Sequence, residues 1–293
     1  MTQHFAFIGI LGQTNVGKST LINRLIGQKV SIISPKVQTT RTRVRGVLTE
    51  GETQLVLVDT PGIFKPKRRL DRAMLDATWS ASEDADKLVI VIDGTKGLME
   101  TDLEIIQKAD QKITLIINKV DLVKKDKMLP LLEKINTLKQ VLQVFCVSAQ
   151  TGEGIKELKE YLIQLAPSAP WMFPEDELTD LPDRLFCAEI TREKLFLYLR
   201  QELPYQLTVE PVSFKTNKDS IRIEQNIIVS KEAQKSIVLG AHGSMIKKIG
   251  ESARKEMTRQ LGQKVHLFLF VKVRPNWIDD VNQYKPWGLN FNA

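Results

Sequence analysis

Five short apolar, β-branched runs recur through the first half of the chain: FAFIGIL (5–11), TQLVLVD (53–59), KLVIVID (87–93), KITLIIN (112–118) and QVFCVS (143–148). Each is too short for a typical helix and rich in Val and Ile, which predicts buried strands, and stretches of helical period separate most of them. That alternation predicts a doubly wound, mostly parallel α/β sheet with its ligand site at the C-terminal ends of the strands. RTRVRGVLTE (41–50) precedes the second run without an intervening helix and predicts an added antiparallel edge strand, and SIISPKVQTT (31–40) before it reads as a mobile loop.

After a last amphipathic helix, GIKELKEYLIQL, the composition turns rich in proline and acidic residues over 167–183, which predicts a linker. Beyond it the order changes. A helix (184–203) precedes two strands, YQLTVEPVSF (205–214) and SIRIEQNIIV (220–229). Helices over 231–239 and 244–261 then flank GAHG (240–243), and KVHLFLFVKV (264–273) closes the series as a strand. The expected organisation is a nucleotide-type α/β domain over 1–166, the linker, an αββααβ domain over 184–275 and a tail over 276–293. In the long second helix Met245, Ile246, Ile249, Ala253, Met257 and Leu261 share one face, the expected core, whereas Lys247, Lys248, Arg254, Lys255 and Arg259 lie on others.

Charge separates the two halves. Of 42 Lys+Arg and 35 Asp+Glu, residues 1–182 hold 24 and 23, net +1, and residues 183–293 hold 18 and 12, net +6. A basic second domain favours a polyanionic partner. No run approaches the ~18 apolar residues of a spanning helix. The N-terminus lacks a basic n-region with a cleavage site, so the expectation is a cytoplasmic protein. Cys146 and Cys187 sit in apolar contexts without metal-ligand spacing, and both are expected to be packing residues.

The first strand runs into GQTNVGKST (12–20), which opens a helix. In that context the spacing G-x-x-x-x-G-K-S describes a phosphate cradle: the loop Gly12, Gln13, Thr14, Asn15, Val16 and Gly17 turns backbone N–H groups inward, Lys18 reaches the β- and γ-phosphates, and Ser19 holds Mg²⁺. The second strand ends in DTPG, so that Asp59 binds Mg²⁺ through water and the Gly62 N–H meets the γ-phosphate, with Thr60 and Pro61 between them. The fourth strand ends in NKVD: the carboxylate of Asp121 accepts from guanine N1–H and the 2-amino group, a pair adenine lacks, and so selects GTP. Asn118, Lys119 and Val120 complete that stretch, and SAQTG (148–152) is suited to place Ser148 and the Ala149 N–H at guanine O6. Ile63 is the anomaly. It occupies the position where a Gln commonly orients the attacking water, and its side chain does not hydrogen-bond.

These motifs, in this order, resemble the translation-factor branch of P-loop GTPases, and Asn15 together with Thr39, Thr40 and Arg41 resembles the Era group. In αββααβ order the GAHG stretch resembles a type II KH domain, whose GXXG loop clamps single-stranded RNA; Gly240, Ala241, His242, Gly243, Lys247 and Lys248 are the corresponding RNA-binding candidates. The implied architecture is an α/β P-loop GTPase domain followed by an α+β KH domain. Either Thr39 or Thr40 closes over Mg²⁺, and the resemblance favours Thr40, giving Lys18, Thr40, Asp59 and Gly62 as the catalytic set. It also implies K⁺ as a second cation, with Asn15 either its ligand or a brace of the loop. Gln13 and Thr14 depart from the family, which usually has Arg-Pro there; their side chains are expected to point away from the phosphates.

The resemblance further implies a slow GTPase switch in which nucleotide state reorders residues 31–45 and 60–72. Its partners would be the 3′ end of small-subunit rRNA and the small ribosomal subunit, with the chain a monomer in the cytoplasm in peripheral contact with the inner face of the cell membrane. Lys65, Lys67, Arg68 and Arg69 serve such a membrane contact, an RNA contact or only solvation. Trp277, Tyr284, Trp287 and Phe291 either stack on bases or pack the tail onto a domain. Two other readings remain open. A GTPase of tRNA modification or large-subunit assembly usually carries a helical modification domain or a second GTPase domain, and a second P-loop is absent from this sequence. A GTP-responsive RNA-binding protein without hydrolysis is the reading that Ile63 keeps in play.

Overall fold

The computed structural model describes residues 2–293, which form two compact units. The first comprises residues up to Ser31, Thr40–Asp180 and Gly288–Ala293. Its strands are β1 (His4–Leu11), β2 (Val44–Glu50), β3 (Thr53–Asp59), β4 (Lys87–Asp93), β5 (Ile113–Asn118) and β6 (Val141–Cys146). They form one sheet in the order β2-β3-β1-β4-β5-β6, all parallel except β2, which pairs antiparallel with β3 at the edge. Helices α1 (Lys18–Ile26), α2 (Arg69–Glu83), α3 (Glu100–Gln107), α4 (Lys125–Asn136) and α5 (Ile155–Gln164) connect them. Central strands buried on both faces explain the unbroken apolar runs, since each face meets its own cluster: Ile8, Ile10, Leu55 and Leu57 with α1 and α5, Leu88, Ile90, Ile92 and Ile117 with α3 and α4.

Parallel strands put their C-terminal ends on one side, and the register aligns the site residues there: Asp59 pairs with Ile10, two residues before Gly12, and Asp93 pairs with Asn118. The proline-rich segment lies along the first unit. Leu178 O accepts from Val47 N at 2.8 Å on the outer side of β2, and Gln54 Nε2 donates to Phe173 O at 2.9 Å. Edge strand β6 leaves Cys146 exposed, a correction to its expected packing role, whereas Cys187 is buried as expected.

The second unit comprises residues 32–39 and 181–287. It contains α6 (Asp183–Tyr198), β7 (Leu207–Thr216), β8 (Ser220–Val229), α7 (Glu232–Leu239), α8 (Ser244–Leu261) and β9 (Lys264–Val273). β8 pairs antiparallel with β7 and parallel with β9. The first helix stops at Tyr198, short of the expected 203, because Pro204 opens a 3₁₀ turn over Leu203–Gln206 and the chain is already extended at Leu199. Every residue of α6 from Leu185 to Phe196 is buried, charged ones included. Residues 32–39 lie against it: Ile33 N donates to Glu193 Oε1 at 2.9 Å, Lys36 Nζ to Phe196 O and Leu199 O, and Arg192 Nη2 to Thr39 O. The tail aromatics pack. Trp277 and Tyr284 are buried, Trp287 lies on the second unit's core, and Phe291 in the first unit stacks on Arg69, whose guanidinium carbon is 4.4 Å from the ring centre.

Candidate GTP and RNA sites

Gly12 and Gly17 are required by geometry. Their φ values are +145° and +99°, and a Cβ on either would strike Val91 O or the Asn118 amide. The turn they make aims the loop and the N-terminus of α1 at one point. Lys18 is buried there, donating to Gly12 O at 3.1 Å and Gln13 O at 2.9 Å. Burial pushes its ammonium down to about 8, against the attraction of Asp59. A phosphate in the loop offers that proton the acceptor which two carbonyls replace only in part.

Ser19, Thr40 and Asp59 meet beside it. Ser19 Oγ donates to Asp59 Oδ2 at 2.7 Å, Thr40 Oγ1 to the same oxygen at 3.2 Å, and the two hydroxyls are 3.0 Å apart. Thr39 is different: its hydroxyl donates to Lys36 O at 2.8 Å. Asp59 is fully buried and its second oxygen, Oδ1, has no hydrogen-bond partner. Burial raises its pKa, opposed by Lys18 and by the Ser19 and Thr40 hydroxyls. An orphaned carboxylate oxygen beside two hydroxyls suits a hard divalent cation. No group of three or more His, Cys, Asp or Glu side chains forms a metal cluster among the described residues, so phosphate oxygens and water must complete such a shell.

Gly62 lies against the loop, where a Cβ would come within 2.6 Å of Thr14 Cα. Ile63 N donates to Gly12 O at 3.0 Å, and the Ile63 side chain packs on the cluster of Leu11, Leu88 and Ile117. Thr60 and Pro61 brace the turn, Thr60 Oγ1 donating to Ile10 O and Pro61 O accepting from Thr78.

Asn118 pins two loops together. Its Nδ2 donates to Val16 O at 2.8 Å and its Oδ1 accepts from Ala149 N at 3.0 Å, so one buried amide joins the phosphate loop to the SAQTG loop. Thr151 N closes that loop on Ser148 Oγ, and Val120 N is bonded to Val147 O. Asp121 is exposed. Lys119 Nζ spans Asn15 O (2.8 Å) and Asp93 Oδ2 (2.6 Å), extending its chain along the site. Asn15 itself is exposed with φ 63°.

Three supporting residues escape sequence reading. Burial alone would raise the Asp93 carboxyl, but hydrogen bonds from Lys119 and Thr95 hold it below its usual range. Arg24 on α1 donates to Ala149 O at 3.1 Å and to Gln150 O. Asp102 accepts from Gln13 Nε2 at 2.7 Å, which turns that side chain aside. An Asp ending a strand was the one available signal, for Asp93; the others depend on sheet order.

In the second unit Gly240 (φ 72°) leaves α7, and a Cβ there would lie 2.7 Å from that of Met245; Gly243 (φ 75°) leads into α8. Ala241 and His242 between them are exposed at the loop tip. A groove beside the loop is lined by Ile246, Lys247, Gly250, Arg254, Leu267 and Leu269, with Glu251 as its one acidic residue. Gly250 lets Leu269 approach the helix, and Arg254 supplies a cation two turns beyond Lys247; neither Gly250 nor the two leucines were candidates from sequence. Lys248 instead stands over the Tyr198 ring at 4.6 Å.

Residues 7–119 match the family described as 50S ribosome-binding GTPase, and residues 202–278 match the KH domain family. GTPase Era of Bradyrhizobium sp. (strain BTAi1) is 51% identical over 97% of this chain and 94% of its own length, and GTPase Era of Brucella suis biovar 1 is 50% identical over 97% and 93%. An Era structure with MgGDPNP and nucleotides 1506-1542 of 16S ribosomal RNA superposes with a TM-score of 0.92 at 37% identity, covering 98% of this chain and 99% of that one. A variant of Aquifex aeolicus Era bound to GDP and AlF4⁻ gives the same values. With likeness of this extent running through both units, the chain belongs to the Era family of GTPases.

Proposed function

We propose that this GTPase is a switch that binds single-stranded RNA at the 3′ end of small-subunit rRNA and assists assembly of the small ribosomal subunit. The RNA and nucleotide found with solved Era relatives support that assignment. The observation that carries the switch is local. Thr40 meets Ser19 and Asp59 in the first unit, while its neighbour Thr39 is held by Arg192 in the second. Whatever moves Thr40 therefore pulls through one peptide bond on the segment seated against α6.

In the nucleotide site, Lys18 neutralises the β- and γ-phosphates, Asp121 reads guanine, and the Gly62 N–H meets the γ-phosphate. Ser19 and Thr40 would hold Mg²⁺ through their hydroxyls and Asp59 through water; bound there, the ion neutralises charge developing on the phosphates. Ile63 is committed to packing, so the attacking water is positioned by backbone groups and by Thr40. Asn15, whose side-chain amide has no hydrogen bond among the described residues, is the candidate ligand for K⁺. Gly240, Ala241, His242 and Gly243 clamp the RNA backbone, with Lys247 and Arg254 along its path. The protein acts as a cytoplasmic monomer, with exposed Lys65 and Lys67 as the cations for peripheral contact with an anionic bilayer.

The test is single-turnover hydrolysis of GTP and ATP, in KCl and NaCl, with and without a small-subunit rRNA 3′-end fragment. Hydrolysis of GTP alone, stimulated by the RNA or by K⁺, is expected. Equal hydrolysis of ATP overturns the role of Asp121, and GTP binding without turnover in every condition overturns the enzyme.

A further inference from the structure

β9 is an edge strand with two unlike faces. Leu267 and Leu269 line the groove beside the GAHG loop, whereas the alternate residues Lys264, His266, Phe268, Phe270 and Lys272 are all exposed. Phe268 and Phe270 retain 39% and 50% of their surface. Single exposed apolar residues are ordinary; two phenylalanines on one face of one strand, with a lysine at each end of the row, are not. The neighbouring strand adds Arg222, which pairs in register with His266 and sets its guanidinium carbon 4.3 Å from the centre of the Phe268 ring. Glu224 holds that guanidinium at 2.9 and 3.1 Å. Lys264 and Lys272 make no ion pair among the described residues.

We propose that this face is a base-stacking platform for single-stranded RNA that leaves the groove and turns round the β9 edge. The proposal rests on the reading that the groove itself binds RNA. Residues two apart on a strand are separated by roughly 6.6 Å, a spacing at which consecutive bases of an extended strand can each meet a ring. Aromatic side chains on an open sheet stack bases without regard to sequence, and flanking cations follow the phosphates. The charge of the face and its continuity with the groove favour RNA over a protein partner, which would more naturally meet apolar surface without unpaired lysines.

Anisotropy titrations of the full chain would use two labelled single-stranded RNAs, one of about four nucleotides that fills the groove alone and one of about twelve that extends past it. Phe268→Ala with Phe270→Ala is expected to leave the short RNA and GTP hydrolysis unchanged and to weaken the long RNA by roughly 10- to 100-fold. Phe268→Tyr with Phe270→Tyr, which keeps both rings, should restore the long RNA. Equal affinity of the double alanine variant and the parent for the long RNA overturns the platform, as does equal weakening of both RNAs; retention of RNA binding with loss of a ribosomal-protein contact would assign the face to protein. The groove is tested separately. Ala241→Asp with His242→Asp should abolish binding of the short RNA, and failure there overturns the groove reading whatever the phenylalanines do.

Discussion

Gly17→Ala tests whether Asn118 is the pin between the phosphate loop and the base loop. The new methyl group would lie well inside 3.0 Å of Asn118 Nδ2, at a backbone φ of +99°. The amide must then abandon Val16 O, a buried 2.8 Å bond, and loosen its hold on Ala149 N. The backbone strain costs about 1 kcal/mol. Losing the bond and leaving a buried carbonyl unpaired adds about 2 kcal/mol. Gly27→Ala is the control: φ is +82° at the end of α1, but nothing lies within 4 Å, so only the strain of about 1 kcal/mol remains. Urea unfolding of the first unit, with GDP affinity measured in parallel, gives both quantities. In an Asn118→Ala background the clash is gone, and Gly17→Ala should fall to the Gly27→Ala value, a coupling of about 2 kcal/mol. Additive costs, or a Gly17→Ala no worse than Gly27→Ala, would refute the pin.

The remaining predictions use the same site. Because burial holds Lys18 at about 8 and phosphate would restore its charge, GTP binding should take up close to one proton at pH 8.8 but about a quarter of one at pH 7.5, with affinity falling about fivefold between them. Calorimetry in buffers of different ionisation enthalpy reads this directly, and pH-independent binding would contradict it. Thr40→Ala should slow GTP hydrolysis by ~100-fold and weaken its Mg²⁺ dependence. Thr39→Ala, which loses only the bond to Lys36 O, should stay near the parent rate. Asp93→Asn removes the anion that aligns Lys119 and should weaken GDP and GTP alike by roughly tenfold. A selective loss of GTP would instead place Asp93 in the phosphate chemistry.

Sequence carried the sheet and the motifs because both are local. Runs such as TQLVLVD and SIRIEQNIIV occupy β3 and β8 over the same residues, and a phosphate loop is contiguous. What stayed illegible depends on pairing across the chain. Nothing within residues 32–39 announces that Ile33, Lys36 and Thr39 seat on a helix some 160 positions later, because the partners are a buried carboxylate, backbone carbonyls and a buried guanidinium. Arg24 was invisible for the same reason and Asp93 showed only as an Asp ending a strand: each acts on a residue brought near only when β4 lies beside β5 and α5 beside α1. The groove half formed by Leu267 and Leu269 gives no signal in the sequence, since a strand residue facing a helix has the same pattern whether or not a gap separates them.

Ile63 illustrates how a missing group can be explained by what replaces it. A glutamine there would have to lie among Leu11, Leu88 and Ile117 with its amide unsatisfied, or swing out and lose the burial that seats the turn on the phosphate loop. The backbone is already fixed, Ile63 N to Gly12 O and Thr78 Oγ1 to Pro61 O, so the apolar side chain contributes rigidity where Gln would contribute a donor. Fixing Gly62 against Thr14 in this way seats the turn on the phosphate-loop backbone, and in the proposed mechanism ordering of the attacking water falls to Thr40. Thr40 is also the residue whose neighbour is gripped by Arg192. Under the proposed mechanism, a side chain that cannot orient water makes turnover depend on Thr40, and so on a segment whose preceding residue is gripped by Arg192 of α6.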